Sequence, residues 1–225
     1  EEIILKNKTH LICEKSRRKV VEKAIKNNFD VVIFDDGLQD RNINYDLKIV
    51  CFDSENWIGN GYLIPSGPLR EKIDSIKKYD IVFLKGECLN EKRIIKLIKN
   101  QNPEIKVFQS YYEAVNLDRF NIKNDYLIFS GIANPNNFRN FLIKNNFKVI
   151  DEIIFPDHYE YKQEDINKIK LKAKKLNAKI ITTEKDYVKL SAKDADNIDF
   201  IEIDLKIKNE TDLINLINPI VNEKY

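Results

Sequence analysis

Short β-branched or aromatic runs alternate along the chain with longer segments whose apolar positions recur every three to four residues, the rhythm of βαβ units around a mainly parallel sheet. His10–Cys13 reads as a strand, Ser16–Asn27 as a helix carrying Val20, Val21, Ala24 and Ile25 on one side, and Val31–Phe34 as a wholly apolar strand buried on both faces. Leu47–Phe52 and Ile81–Leu84 are further strands, followed by a helix over Glu91–Lys99 and strands over Ile105–Tyr111 and Tyr126–Ser130. The rhythm then restarts: helix Asn136–Lys144, strand Val149–Ile154, helix Glu164–Leu176, strands Ile180–Thr183 and Phe200–Ile203, helix Asp212–Val221.

The polar stretch Tyr112–Asp125 predicts a boundary, giving α/β domains over residues 1–112 and 113–225 without internal repeat or low-complexity linker. A chain of 225 residues can bury a sizeable core, and 43% hydrophobic against 33% charged residues excludes a disordered one. The net charge of +2 carries no electrostatic footprint for nucleic acid, which is therefore not an expected partner. Cys13, Cys51 and Cys88 are odd in number, far apart and without a CxxC pair, arguing against a disulfide framework and a zinc site; Cys51, in an apolar run, reads as a core residue. A reducing cytoplasm fits this usage. No apolar stretch approaches the ~20 residues that span a bilayer. The chain opens with Glu1 and contains no methionine, as a processed or truncated product would.

Four strings carry candidate chemistry. In DVVIFDDG (Asp30–Gly37) an apolar strand ends in Asp35, Asp36 and a glycine, as a Walker B site does: carboxylates at the end of a central parallel strand can hold Mg²⁺ beside phosphates. The same string is also that of carboxylates capping a strand before a turn. GNGYLIPSGPLRE (Gly59–Glu71) fixes an irregular backbone with glycines and prolines and ends in Arg70, which can clamp phosphate or simply pair with Glu71. FPDHYEY (Phe155–Tyr161) sets His158 beside Asp157, either as a general base near neutral pH or as a structural histidine. In IITTEKDYVKL (Ile180–Leu190), Thr183 can cap a helix whose N-terminus, with Lys185, attracts an anion; an ordinary cap with a solvated lysine is the alternative.

In this order and spacing, DDGLQ (Asp35–Gln39), GNGYLIPSGPLRE, FSGIANP (Phe129–Pro135), PDHYEY and TTEKDYVKL resemble the tetraacyldisaccharide 4′-kinase family, across nearly the whole chain. The resemblance implies a P-loop NTPase-like α/β domain, here incomplete, followed by a smaller α/β domain, and transfer of the ATP γ-phosphoryl group to the 4′-hydroxyl of a lipid A disaccharide precursor with Mg²⁺. It implies Asp35 and Asp36 as metal ligands, Asp36 and His158 as catalytic, the latter assisting a catalytic aspartate, and Asn60, Arg70 and Lys185 as nucleotide or substrate contacts. It also implies a cytoplasmic protein, peripheral at the inner membrane through an N-terminal hydrophobic helix. Two departures bear on chemistry. Asp40 stands where the family usually has a histidine, and the family's glycine-rich phosphate loop and GDE-type segment are expected upstream of Asp35, outside this chain. The chain alone is then expected to be soluble and inactive. Two rivals remain open: a non-catalytic remnant or binding module, including a half-protein completed by a separate N-terminal chain, and a metal-dependent nucleotide-sugar transferase.

Overall fold

The computed structural model describes residues 9–40, 42–86 and 90–222, which form two compact α/β units. Of these described residues, one unit takes those within 12–112 and 205–222 and the other those within 9–11 and 113–204. In the first, helix α1 (Arg17–Lys26) precedes β1 (Ile49–Asp53), a 3-10 helix (Ile73–Lys78), β2 (Ile81–Lys85), α2 (Glu91–Gln101) and β3 (Lys106–Ala114). β1, β2 and β3 run parallel, with β8 (Ile203–Ile207) beyond β3. Side chains alternate across β2. Val82 and Leu84 pack with Ile94 and Ile98, one helical turn apart on α2, while Ile81 packs on the opposite face with Phe108.

The C-terminal helix α6 (Glu210–Asn222) covers that second face with Leu213, Leu216 and Ile217, residues three and four apart on one stripe. Sequence rhythm places residues 113–225 in one block, whereas the structure returns the last strand and helix to the earlier sheet. Periodicity fixes which residues face a core but not which core they face.

The second unit is a parallel sheet in the order β5-β4-β6-β7, built from β4 (Asp125–Ser130), α3 (Pro135–Lys144), β5 (Lys148–Ile154), α4 (Gln163–Leu176), β6 (Lys179–Thr183), α5 (Glu184–Tyr187) and β7 (Ile198–Ile201). Central strand β4 is buried on both faces, as an apolar run flanked by crossover helices must be. Tyr126 and Ile128 meet Phe138 and Leu142 of α3; Leu127 and Phe129 meet Ile166, Ile169 and Ala173 of α4. The chain goes from β4 to β5 on one side, then crosses back to β6 on the other. The carboxyl ends of these strands therefore flank a topological switch point, the place where open α/β sheets bind ligands.

Two expected strands are not formed. His10–Cys13 and Val31–Phe34 make no ladder, and Val31, Val32 and Ile33 are exposed, Ile33 by 90%. An apolar run becomes a buried strand only where a neighbour supplies its hydrogen bonds, and among the described residues none lies beside this one. Asp35 and Asp36 therefore occupy a turn and do not end a central strand. Cys51 is exposed on edge strand β1, a second correction, and Cys88 lies outside the described residues. No helix among the described residues is long and apolar enough to cross a membrane.

Candidate functional site

Two groups of site residues emerge, one in each unit. In the first, Gly37 is buried, and a Cβ there would come within 2.9 Å of Phe34 Cβ and 3.0 Å of the Tyr45 hydroxyl. Tyr45 donates to the Gly37 carbonyl at 2.8 Å, so the small residue lets the ring lock the turn from below. Asp36 sits above it with φ of 55°, the left-handed region that an aspartate tolerates better than most residues.

Arg70 Nη1 donates to Asp36 Oδ2 at 2.5 Å, so Arg70 reaches neither Glu71 nor bulk solvent alone. Glu71 instead accepts from the Tyr79 hydroxyl at 3.2 Å. The hydrogen bond from Arg70, reinforced by the charges of Arg70 and Arg17, holds the Asp36 carboxyl below the ordinary carboxylate range. Arg17, at the start of α1, donates to the Asp36 carbonyl at 2.8 Å and lies 3.5 Å from Asp40 Oδ2. Asp40 also accepts from the Asn42 N–H, the main reason its own pKa is lowered, with Arg17 adding to the effect. The residue that departs from the family pattern is thus used to anchor Arg17. No sequence signal marks Arg17 itself; a second arginine follows it, and its partners are 19 and 23 positions away.

The Gly59–Glu71 loop closes on itself. Asn60 donates to the Ser66 carbonyl at 2.8 Å and accepts from the Tyr62 N–H at 3.1 Å, so both ends of its amide are engaged by the loop. A Cβ on Gly67 would collide with Asn60 Oδ1 and the Tyr62 carbonyl. Asp35 and Asp36 present two adjacent, exposed carboxylates, and among the described residues no group of three or more His, Cys, Asp or Glu forms a metal cage. That set suits Mg²⁺, which takes one or two carboxylates and completes its shell with phosphate and water.

In the second unit, FSGIANP, PDHYEY and TTEKDYVKL follow the carboxyl ends of β4, β5 and β6 respectively, and so meet at the switch point. His158 has φ of 58° and a side chain 80% exposed, which excludes a histidine enclosed in the core. Its N–H donates to Asp157 Oδ1 at 3.0 Å and also reaches the Gly131 carbonyl at 3.2 Å. A non-glycine residue held in the left-handed region beside a carboxylate is backbone strain of the kind concentrated at working sites. Beneath the turn, Phe129, Phe155, Tyr159 and Tyr161 pack ring against ring. Thr183 caps α5, accepting from the Asp186 N–H at 3.2 Å, and Lys185 is exposed on that short helix. Asp36 and Arg70 are thus brought together within one unit, and His158 and Lys185 lie in the other.

A model of the tetraacyldisaccharide-1-P 4′-kinase family, LpxK, matches residues 1–222. A tetraacyldisaccharide 4′-kinase of Pelagibacter ubique is 43% identical over 218 residues, 96% of this chain and 68% of the relative. One from Rickettsia bellii is 36% identical over 214 residues, 93% of this chain and 63% of the relative. The crystal structure of LpxK from Aquifex aeolicus, in complex with ATP, superposes with a TM-score of 0.55 at 24% identity, covering 82% of this chain and 56% of that one. The chain therefore spans about two thirds or less of the proteins it matches.

Proposed function

The chain belongs to the tetraacyldisaccharide-1-P 4′-kinase family, and from that premise we propose that the protein carrying it transfers the γ-phosphoryl group of ATP to the 4′-hydroxyl of a tetraacyldisaccharide 1-phosphate. The observation that carries this reading is the Asp35–Asp36 turn, in which two adjacent carboxylates are exposed, Arg70 donates to the Asp36 carboxylate and Arg17 holds the turn through the Asp36 carbonyl. Phosphoryl transfer needs little covalent chemistry from a protein; it needs charge neutralised and groups held in line. Asp35 and Asp36 would hold Mg²⁺, which when bound neutralises phosphate charge. Arg70, now on Asp36, is suited to move onto a phosphate, since a guanidinium binds carboxylate and phosphate oxygens alike. Asn60 and Lys185 are weaker candidates for ligand contact. His158 assists removal of the hydroxyl proton as the sugar oxygen attacks phosphorus and the bond to the ADP oxygen breaks. Because the proposed acceptor is a lipid, our reading has the protein work at the cytoplasmic face of the inner membrane, bound peripherally.

The direct test is transfer of labelled phosphate from ATP to the disaccharide 1-phosphate by the protein carrying this chain. Labelled product dependent on added Mg²⁺ is the expected result. ATP-independent binding of the disaccharide with no transfer would favour the non-catalytic reading, and transfer of a sugar from a nucleotide sugar would favour the transferase.

A further inference from the structure

Asp186 is a fully buried carboxylate to which the reaction above assigns no role. Its Oδ2 accepts from the Gly131 N–H at 2.9 Å and from the Thr183 hydroxyl at 2.8 Å, and its Oδ1 accepts from Lys189 Nζ at 2.9 Å. A buried charge persists only where its lone pairs are met, and here donors from two separate motifs meet them. The contact with Gly131 leads on to the site. The same residue's carbonyl accepts from the His158 N–H at 3.2 Å, so one peptide-bonded residue joins the carboxylate to the strained histidine turn. Gly131 is pressed against that turn as well: a Cβ on it would lie 3.0 Å from the Tyr161 hydroxyl, 3.1 Å from the Pro156 carbonyl and 3.3 Å from Tyr159 Cβ.

We propose that Asp186 is a positioning residue, which through Gly131 fixes the left-handed turn presenting His158. The proposal rests on the catalytic reading of His158. An ordinary structural ion pair would need Lys189 above all, whereas positioning needs the oxygen that Gly131 and Thr183 share. The two roles separate because an asparagine can place its single carbonyl oxygen at the Oδ2 position and keep both donors, while its NH2 at the Oδ1 position sets a donor against Lys189 and breaks the ion pair.

The test uses the protein carrying this chain. Asp186→Ala should lower kcat at least about tenfold with KM for ATP changed less than about threefold, and Asp186→Asn should stay within about fivefold of wild type. In a His158→Gln background Asp186→Ala should add less than about threefold, because residues acting as one unit are not additive. Equal losses in both backgrounds, or an asparagine variant as impaired as the alanine one, would overturn the proposal. Should Asp186→Ala fail to fold, Gly131→Ala decides: it pushes the turn from the other side without touching the carboxylate, and should show the same dependence on His158. If the wild-type protein transfers no phosphate, the function fails but the linkage is still read by NMR. Asp186→Ala should move the amide and ring signals of His158, assigned with His158→Gln, and leave His10, the other of the chain's 2 histidines, unchanged. Unmoved His158 signals would overturn the linkage itself.

Discussion

Replacing Asp36 by asparagine is the sharpest perturbation of the proposed site, because the structure separates its effect on chemistry from its effect on folding. Asparagine also tolerates the left-handed backbone found here, with φ of 55°, and its oxygen can still accept from Arg70, so neither strain nor a lost contact confuses the result. The side chains of Asp36 and Arg70 are 61% and 56% exposed, so removing the charge forces no ion into an apolar interior. Unfolding free energy should therefore stay within about 0.5 kcal/mol of wild type. A neutral amide holds Mg²⁺ poorly, and metal positioning acts mainly in the transition state. A loss of kcat of at least about a hundredfold is expected, equivalent to about 2.7 kcal/mol on the barrier. The assay is steady-state phosphoryl transfer at rising Mg²⁺, with denaturant unfolding of the same preparations. Normal turnover at saturating Mg²⁺ would refute the metal assignment, and a loss of activity matched by a loss of stability would refute the separation of the two effects.

Arg70→Ala should raise the Asp36 carboxyl toward the ordinary carboxylate range. The charged form is the one the fold favours, so this pair's contribution is present at neutral pH and is lost as pH falls through the depressed value; NMR titration of the carboxyl carbons reads the shift, and an unmoved midpoint would refute the pairing. Partial burial of the Tyr79 hydroxyl, with the Glu71 charge beside it, pushes its pKa up to about 12. Its neutral hydroxyl stabilises the fold fully below the unfolded tyrosine value of ~10, and that contribution is lost as pH rises through 12. Ultraviolet phenolate titration should show a late step that Tyr79→Phe removes. Leu142→Ala, at a fully buried position between α3 and β4, should cost about 2–5 kcal/mol in urea unfolding, and a cost below ~1 kcal/mol would mean that face is looser than described.

The elements that carry a strong period on their own residues were legible without coordinates. α4 has Ile166, Ile169 and Ala173 on one stripe, and β4 carries Tyr126, Leu127, Ile128 and Phe129 in an unbroken run; such segments have few other ways to bury their surface. The strings that mark the family were legible too, since runs such as DDGLQ and PDHYEY are informative jointly and in order. Val31–Phe34 marks the limit of that reading, because an apolar run states a need for cover without naming the neighbour that provides it. The return of β8 and α6 to the first sheet, the contacts of Arg17 with Asp36 and Asp40, and the path from Asp186 through Gly131 to His158 all join residues far apart in the chain. Local pattern and propensity act over a few residues, whereas pairings at such separations are chosen only when whole sheets and helices pack, so tertiary structure alone decided them.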